Sequence, residues 1–245
     1  MSTLPVNLIV FCTTMGHSGK HTYQDCLNNL YEKIDPSFFE NRLLHLKSRD
    51  GEESIAEEIK SFCSDLDIRV IETKENIVHH SENHLTHSAG YFKDIFKSYS
   101  DPEILKQKYS FWLEDDEIIQ TSKIALEDAF KKSIQFLEDN PRQICVRFNR
   151  AKEFKDDDSP YLVEDDNILT QAINYTQYGP TFTFQPNISR TDQIFEAWKE
   201  AQKHLDKLRK VHCEILSGHL LKKMTDCETP FSFFNPKKVY SKTIG

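Results

Sequence analysis

The run Val6-Asn7-Leu8-Ile9-Val10-Phe11-Cys12 constrains the fold most, because all of its residues except the asparagine are apolar. A strand of this kind is buried on both faces, which is typical of a parallel sheet that helices cover on each side. Apolar residues at helical spacing follow over residues 23–34. Short apolar stretches at residues 42–46 and 68–71, with a helical pattern at residues 54–66 between them, complete a βαβαβ unit. The sequence therefore predicts an α/β fold.

The remainder of the chain continues this alternation. Strands are expected over residues 109–113, 143–148 and 180–185, and helices over residues 84–99, 122–137, 191–209 and 213–224. The acidic stretch 152–166 is expected to be a solvated loop, and residues 231–244 are expected to be a tail of strand and loop. No internal repeat, low-complexity tract or linker divides the sequence, so we expect a single domain of residues 1–245.

The charge balance argues against some classes of partner. The sequence has 39 acidic against 31 basic side chains and a net charge of −8, which disfavours a surface for nucleic acid or for anionic lipid headgroups. No apolar segment approaches the roughly 18 residues of a membrane span. The six cysteines are scattered without a CxxC pair, as in reduced intracellular proteins. We therefore expect a cytoplasmic protein with no nucleic-acid partner and no membrane span.

Four consecutive carboxylates, Glu114-Asp115-Asp116-Glu117, directly follow the apolar strand predicted at residues 109–113. Like charges this close repel one another unless a cation neutralises them. Their hard oxygen atoms suit Mg²⁺ or Mn²⁺, and such a cation bridges the oxygens of a diphosphate and stabilises it as a leaving group. The alternative is that the carboxylates only favour the start of a helix through its dipole.

A second acidic triplet, Glu164-Asp165-Asp166, serves as an internal comparison. It follows a shorter apolar run, lies among other acidic residues and precedes no long helix. A solvated acidic loop is therefore the expected structure there, and the metal site is expected at the first acidic run.

The loop of residues 13–22 has some features of a phosphate-binding loop. It contains Gly19-Lys20 after a strand, but the pattern GxxxxGK[ST] requires glycine at Thr14 and serine or threonine at His21. Two of the four fixed positions are therefore wrong. We expect a polar connection in which the glycines supply turns, and this is compatible with a base or ribose contact by Thr13 or Thr14 at the carboxyl edge of the sheet.

The opening β-α units, followed by a strand that ends in Glu114-Asp115-Asp116, resemble the DXD-type, family-2-like GT-A nucleotide-sugar glycosyltransferases. The resemblance covers residues 5–245. It implies a single-domain, Rossmann-type sandwich with a mostly parallel central sheet flanked by helices. It also implies a nucleotide-sugar-binding half of about residues 1–117 and an acceptor-binding half of about residues 118–245.

The resemblance further implies a set of metal and donor contacts. Asp116 and Asp115 would bind the divalent cation, Mn²⁺ or Mg²⁺, and Glu114 and Asp115 would contact the sugar-nucleotide donor. Because Glu114 stands where aspartate is commoner, the division of ribose and metal contacts between Glu114 and Asp115 stays open.

The same resemblance implies that Thr13 and Thr14, after the first strand, and Glu72, after the third, hold the base and ribose. Neither segment has a distinctive motif. The alternative is that these are ordinary polar residues at strand ends.

One predicted catalytic residue lies late in the chain. The segment Val211-His212-Cys213-Glu214 resembles the helix start where inverting members place a carboxylate, which implies that Glu214 is the general base that deprotonates the acceptor hydroxyl. The alternative is a plain helix-start glutamate, because many members have two carboxylates there and this sequence has one. In the tail, Thr243 stands where many members have a metal-binding histidine, which implies a cation shell with fewer protein ligands.

Two further groups have alternative interpretations. The histidine group comprises His79, His80, His84 and His87. Its spacing suits zinc on a helix face, but no cysteine partner lies nearby, so the histidines are expected to line the donor pocket or to face water. Arg147 and Arg150 are expected either to face the acceptor or to lie in solvent.

We interpret the whole sequence as a glycosyltransferase that moves a sugar from a nucleoside-diphosphate sugar to a carbohydrate or other hydroxyl acceptor. The reaction would be assisted by a divalent metal, and inversion rests on Glu214. One rival is a nucleoside triphosphatase or kinase that uses the loop of residues 13–22. The other is a non-catalytic carbohydrate-binding protein on the same fold, which the missing histidine at Thr243 supports.

Overall fold

The computed structural model describes residues 6–14, 22–75, 95–148, 161–163, 168–171, 186–203, 213–227, 231–234 and 241–243. Within these ranges, no helix combines the length and the apolar character needed to cross a membrane. The strand predicted at residues 180–185 and most of the helix predicted at residues 84–99 lie outside the described residues.

The described elements follow the alternation expected from the sequence. The strands are β1 (Val6–Thr13), β2 (Phe39–Arg49), β3 (Arg69–Glu75), β4 (Tyr109–Glu114), β5 (Glu117–Ile119), β6 (Cys145–Arg147), β7 (Tyr161–Val163), β8 (Ile168–Gln171), β9 (Asn187–Arg190), β10 (Phe231–Phe234) and β11 (Ser241–Thr243). The helices are α1 (Thr22–Lys33), α2 (Glu53–Asp65), α3 (Pro102–Leu105), α4 (Lys123–Asp139), α5 (Thr191–Gln202) and α6 (Cys213–Thr225), with a 3₁₀ turn at Pro36–Phe38. Residues 95–99 are also helical.

Nine of these strands form one sheet in the order β3-β2-β1-β4-β9-β6-β10-β8-β7. β1 pairs in parallel with β2 and β4, and β2 pairs in parallel with β3. β9 and β8 run against their neighbours, while β10 is parallel to β6. β5 and β11 form a separate antiparallel pair. The sheet is mostly parallel and helices flank it, which confirms the fold class predicted from the sequence.

The structure departs from the predicted elements mainly at short segments, since α3, β5, β8 and β9 are absent from the prediction. Tyr161–Val163 is a strand, so the prediction of a loop over all of residues 152–166 is wrong for those three residues. The strand predicted at residues 143–148 is shorter, at Cys145–Arg147. The physical reason is pairing: β7 exists because it pairs with β8, and a pairing partner is not visible in a local apolar pattern.

The hydrophobic core lies in two layers, one on each face of the sheet. Alternate residues of a strand point to opposite faces, and along β1 Leu8 and Val10 pack with α1, α2 and α4 on what we call the first face. Ile9 and Phe11 pack with residues 95–99, α3, α5 and α6 on the second face. All four side chains are buried. Helices on both faces explain the near-continuous apolar run of β1.

An aromatic cluster on the second face fixes the position of β4. The Trp112 ring stacks on Phe11 and Tyr99, with centroid separations of 5.2 and 4.9 Å, and meets the Trp198 ring edge-on at 5.2 Å. The Trp112 indole N–H donates a hydrogen bond of 2.7 Å to Ser189 Oγ. Because Trp112 is fully buried and lies two residues before the end of β4, this packing holds the carboxyl end of the strand in place.

Candidate functional site

The four consecutive carboxylates lie in the connection between β4 and β5. Glu114 ends β4, Asp115 and Asp116 form a two-residue turn, and Glu117 begins β5. The next helix, α4, begins only after its N-cap Ser122 and has no acidic residue in its first turn. Stabilisation of a helix start therefore does not account for this acidic run.

Three of the four carboxylates point toward a common centre. One oxygen atom from each of Glu114, Asp116 and Glu117 lies within 4.8 Å of the other two. Glu114 and Asp116 are partly exposed, whereas Glu117 is 1 % exposed. Six oxygen ligands at about 2.1 Å from Mg²⁺ lie about 3.0–4.2 Å apart. The separations of the three carboxylate oxygens, at most 4.8 Å, are close to this range, so small side-chain rotations would allow all three to contact one cation. The chemistry of the group, three hard carboxylates, fits Mg²⁺ or Mn²⁺.

Asp115 does not join this group. Its side chain is 7 % exposed, and its Oδ2 accepts a hydrogen bond of 3.4 Å from the Thr13 backbone N–H. The Asp115 backbone N–H in turn donates to the Phe11 carbonyl oxygen at 2.9 Å. Asp115 thus ties the turn after β4 to the end of β1, while the residues on either side of it face the common centre.

Two thiols lie beside this turn. The Cys26 thiol donates a hydrogen bond of 3.3 Å to the carbonyl oxygen of Glu114. Burial, and next the charge of Asp115, raises the pKa of both Cys12 and Cys26 well above the usual value for a thiol. Both thiols are therefore protonated at neutral pH, and neither has the thiolate character that a nucleophile needs.

Thr13 and Thr14, which sequence reasoning assigned to the base and ribose, lie in different surroundings. Thr14 is fully buried. Its hydroxyl donates to a Glu52 carboxylate oxygen and accepts a hydrogen bond of 3.1 Å from the Arg49 backbone N–H, so it stabilises the connection between β2 and α2. Thr13 is partly exposed at the end of β1, and its backbone contacts Asp115.

Glu72 lies on β3 and forms an ion pair with Lys60 on α2, with 2.6 Å between Oε2 and Nζ. Its Oε1 accepts a hydrogen bond from Ser48 Oγ. These two hydrogen bonds, that of Lys60 first, lower the pKa of the Glu72 carboxyl. Glu72 lies opposite Leu46 in the β2–β3 register, which places it on the first face, whereas Glu114 lies opposite Phe11 on the second. The structure therefore does not bring Glu72 and the acidic group together.

Three of the polar residues buried on the second face are Arg147, which sequence reasoning considered, and Lys47 and Asn187, which it missed. Lys47, Asn187 and Arg147 are 5 %, 0 % and 7 % exposed, respectively. Lys47 lies opposite Thr13, and Asn187 lies opposite both Trp112 and Arg147. Arg147 is thus buried beside β9 and does not lie in solvent. The available signal was strand alternation, because polar residues in a strand with apolar neighbours mark one face.

His45 also lies on the second face, two residues before Lys47, and shows how a polar group is accommodated there. It is fully buried, its Nδ1 lies in hydrogen-bond contact with Ser98 Oγ, and its Nε2 lies 3.3 Å from Thr73 Oγ1. Burial, followed by the charges of Lys47 and Lys97, lowers the pKa of His45 to about 4. The imidazole is therefore neutral at physiological pH and links β2, β3 and the helix at residues 95–99.

The structure describes the other predicted residues only in part or not at all. Glu214 lies in the first turn of α6, and its side chain is outside the described part of the structure. Thr243 pairs with Glu117 in the β5–β11 register. The remaining predicted positions outside the described residues are residues 15–21, His79, His80, His84, His87, Arg150, Glu164, Asp165 and Asp166.

Comparison with known proteins identifies the fold. No protein-family model and no curated protein matches the sequence. Among solved structures, GalNAc-T7 with UDP, GalNAc and Mn²⁺ matches with a TM-score of 0.55 and 8 % identity, over 97 % of this chain and 43 % of that one. Residues 1–349 of S. aureus TarS, in complex with UDP, match with a TM-score of 0.53 and 13 % identity, over 96 % of this chain and 59 % of that one.

A third similar structure extends the range of chemistries on this fold. A Bacillus anthracis protein assigned as a glucose-1-phosphate thymidylyltransferase matches with a TM-score of 0.52 and 6 % identity, over 97 % of this chain and 89 % of that one. At identities this low, the likeness establishes the fold and not the reaction. The chain therefore has a GT-A-like fold, as the sequence predicted.

Proposed function

We propose that this chain is a glycosyltransferase that moves a sugar from a nucleoside-diphosphate sugar to a hydroxyl acceptor. The observation that carries the proposal is the carboxylate group of Glu114, Asp116 and Glu117 at the carboxyl end of β4, within a GT-A-like fold. Ligands of open α/β sheets bind beyond the carboxyl ends of the strands. The solved structures of this fold that contain UDP support a nucleotide-sugar donor.

In this proposal, Glu114 and Asp116 each contribute a carboxylate oxygen to a divalent cation, Mn²⁺ or Mg²⁺. When bound, such a cation neutralises the diphosphate and makes it a better leaving group. Asp115 holds the Thr13 backbone, so that Thr13 is available at the end of β1 for a contact with the base or ribose. The buried cation Lys47 lies opposite Thr13, and its charge favours an anionic donor at this edge.

On the acceptor side, we propose Glu214 as the general base. Its carboxylate takes the proton of the acceptor hydroxyl while that oxygen attacks the anomeric carbon and the bond from sugar to diphosphate breaks. A single displacement of this kind inverts the configuration at the anomeric carbon. A positioned base contributes about 10²–10⁴-fold to the rate of such a reaction. The support for Glu214 is its place at the start of α6.

A rival function is recognition of carbohydrate without catalysis. Thr243, a residue with no ionisable group, lies opposite Glu117 in the β5–β11 pair, so the tail adds no charged ligand at that position. This rival predicts that sugars bind without metal-dependent turnover or donor hydrolysis.

A thermal-shift screen of UDP-, GDP- and dTDP-sugars, with and without Mn²⁺, tests the proposal, because a ligand that binds the folded state raises the unfolding midpoint. We expect one nucleotide sugar to raise the midpoint only with Mn²⁺ present. Asp116→Asn should abolish that metal-dependent rise. The matched control is Asp128→Asn, an exposed residue of α4 that pairs with Lys132 at 2.9 Å. Equal loss in both variants, or in neither, would exclude Asp116 as a metal ligand.

Product analysis separates the remaining reactions. A glycosyltransferase releases a nucleoside diphosphate from a nucleotide sugar, whereas nucleotidyl transfer from a nucleoside triphosphate to a sugar phosphate releases pyrophosphate. A nucleoside triphosphatase or kinase would instead be stabilised by a nucleoside triphosphate in preference to every nucleotide sugar. Release of pyrophosphate, or selective stabilisation by a triphosphate, would contradict the proposal.

A further inference from the structure

Helix α1 contacts the segment between β4 and α4 through three polar side chains. Cys26, Asn29 and Lys33 are spaced three and four residues apart, so they lie along one side of the helix. Leu27 and Leu30 of the same helix pack in the first-face core. α1 therefore packs on the sheet and also contacts residues 114–121, which we call the acidic connection.

All three side chains form hydrogen bonds with the backbone of the acidic connection. The Cys26 thiol donates to the Glu114 carbonyl oxygen at 3.3 Å, Asn29 Oδ1 accepts from the Ile119 N–H at 2.9 Å, and the Lys33 ammonium donates to the Thr121 carbonyl oxygen at 2.7 Å. One of these bonds precedes Asp116 and Glu117 in the chain, and two follow them. The backbone that carries these two carboxylates is thus held to α1 at both ends.

The bond between Asn29 and Ile119 anchors a strand that lies outside the main sheet. β5 belongs to a separate two-stranded pair with β11, and α1 packs against it. Ile119 is 2 % exposed, and a buried backbone N–H that loses its acceptor is costly. Removal of the Asn29 side chain should therefore let β5 and the acidic connection shift away from their present position.

We propose that Asn29 and Lys33 are positioning residues for the cation assigned above to Glu114 and Asp116, an inference that rests on the proposed function. They act through the backbone of the acidic connection. Ligand oxygens have to be held within about 0.5 Å of their productive positions, and residues that orient metal ligands typically contribute about 10–100-fold to metal affinity. The affinity for Mn²⁺ therefore depends on both bonds from α1.

The test measures the Mn²⁺ affinity of the whole protein with a nucleoside diphosphate bound. Binding of UDP, GDP and dTDP is titrated by calorimetry at a series of Mn²⁺ concentrations. The variants are Asn29→Ala and Lys33→Met, and the matched control is Asn28→Ala, an exposed residue of the same helix. We expect the control to match the wild-type protein and each variant to bind Mn²⁺ about tenfold more weakly.

The sign of the Lys33 effect separates positioning from simple electrostatics. Loss of a positive charge near carboxylates would by itself strengthen the binding of a cation, so weaker Mn²⁺ binding by Lys33→Met cannot arise from the charge. Lys33→Arg keeps the charge and the donors to Thr121, and it should restore most of the Mn²⁺ affinity. Stronger binding by Lys33→Met would overturn the inference for Lys33.

Unfolding midpoints without Mn²⁺ separate positioning from a purely structural role. A purely structural role would lower the midpoint of Asn29→Ala and leave the Mn²⁺ affinity of the folded protein unchanged. If Asn29→Ala does not fold, Lys33→Met carries the test, because Lys33 is partly exposed and its shortening leaves no cavity in the core.

The outcomes also separate this inference from the proposed function. Mn²⁺-dependent binding of a nucleoside diphosphate that is equal in wild type, Asn29→Ala and Lys33→Met overturns the inference and leaves the proposed cation site intact. If the wild-type protein binds none of the three diphosphates in a Mn²⁺-dependent way, the metal-assisted function and the inference are both overturned.

Discussion

The two faces of the sheet bury their charged groups at different edges. On the first face, the buried Arg190 guanidinium lies opposite Tyr109 at the start of β4 and donates hydrogen bonds to the carbonyl oxygens of Gln143 and Leu137. The second face buries a histidine and two basic side chains, His45, Lys47 and Arg147, and Lys47 and Arg147 lie toward the carboxyl ends of their strands.

The edge at which charges are buried leads to a prediction. A buried charge costs free energy on folding unless it is paired or hydrogen-bonded. The polar residues of the second face lie at the end of the sheet where ligands of such folds bind. We therefore expect changes on the first face to affect stability alone, and changes on the second face and its edge to affect pH dependence and binding.

The largest expected effect is on stability and tests the first face. Phe130 of α4 is fully buried, and its ring lies 4.7 Å from Phe111 and 5.4 Å from Phe148 between centroids. Phe130→Ala should lower the free energy of unfolding by about 4 kcal/mol, as measured by urea denaturation. Donor affinity of the folded protein should stay unchanged. Ile124→Ala on the same helix is the control, because Ile124 is 82 % exposed and should change stability by less than about 0.5 kcal/mol.

A loss of donor affinity in folded Phe130→Ala would contradict the separation of the two faces, because it would couple the first-face core to the ligand site. The affinity measurement must therefore be made well below the unfolding midpoint of the variant.

The second effect is a pH dependence that originates on the second face. His45 has a pKa of about 4 in the folded protein and about 6.5 when unfolded. As the pH falls below about 6.5, His45 binds a proton in the unfolded chain but not in the folded protein. The free energy of unfolding therefore decreases until about pH 4 and then levels off. The change amounts to about 3 kcal/mol. Urea denaturation from pH 7 to pH 4 measures it.

His45→Gln removes the titrating group and should flatten this part of the stability profile. The difference in unfolding free energy between wild type and variant should therefore shrink as the pH is lowered. Parallel profiles would mean that His45 titrates normally and that the second face does not exclude its charged form.

The third prediction concerns the acceptor side of the proposed reaction. Glu214→Gln should leave donor binding intact and lower the rate of sugar transfer about 10²-fold, because the acceptor hydroxyl loses its general base. Steady-state kinetics with saturating donor, together with a binding titration, separates the two quantities. An unchanged turnover number would identify Glu214 as an ordinary residue of a helix start and would remove the argument for inversion.

The smallest effect concerns the tail. Thr243 lies opposite Glu117 in the β5–β11 pair, and Thr243→His adds an imidazole, a better ligand for transition metals than a hydroxyl. Because a nucleoside diphosphate supplies oxygen ligands of its own, the gain in Mn²⁺ affinity should not exceed about tenfold. A titration with Mn²⁺ in the presence of a nucleoside diphosphate measures it. A gain much larger than this would show that the shell lacked a ligand in the wild-type protein.

Much of the first half of the fold could be predicted from local sequence pattern. β1, β2 and β4 contain apolar runs, the amphipathic helices α1 and α2 follow β1 and β2, and period and length suffice to recognise these elements. The second half resisted prediction because β6 to β10 are three or four residues long and, apart from the β7–β8 pair, their partners are distant in sequence. β9, for example, lies between β4 and β6 in the sheet and runs against both.

The sequence by itself determined the fold class, the two-sided burial of β1 and the presence of four carboxylates at the end of a buried strand. It did so because side-chain periodicity and charge spacing are local properties. Only the tertiary structure decided that Asp115 turns to Thr13 while Glu114, Asp116 and Glu117 face one another. It also decided that Lys60 neutralises Glu72. These arrangements depend on which strands and helices pack beside these residues. Such long-range contacts cannot be recognised from the order of neighbouring residues.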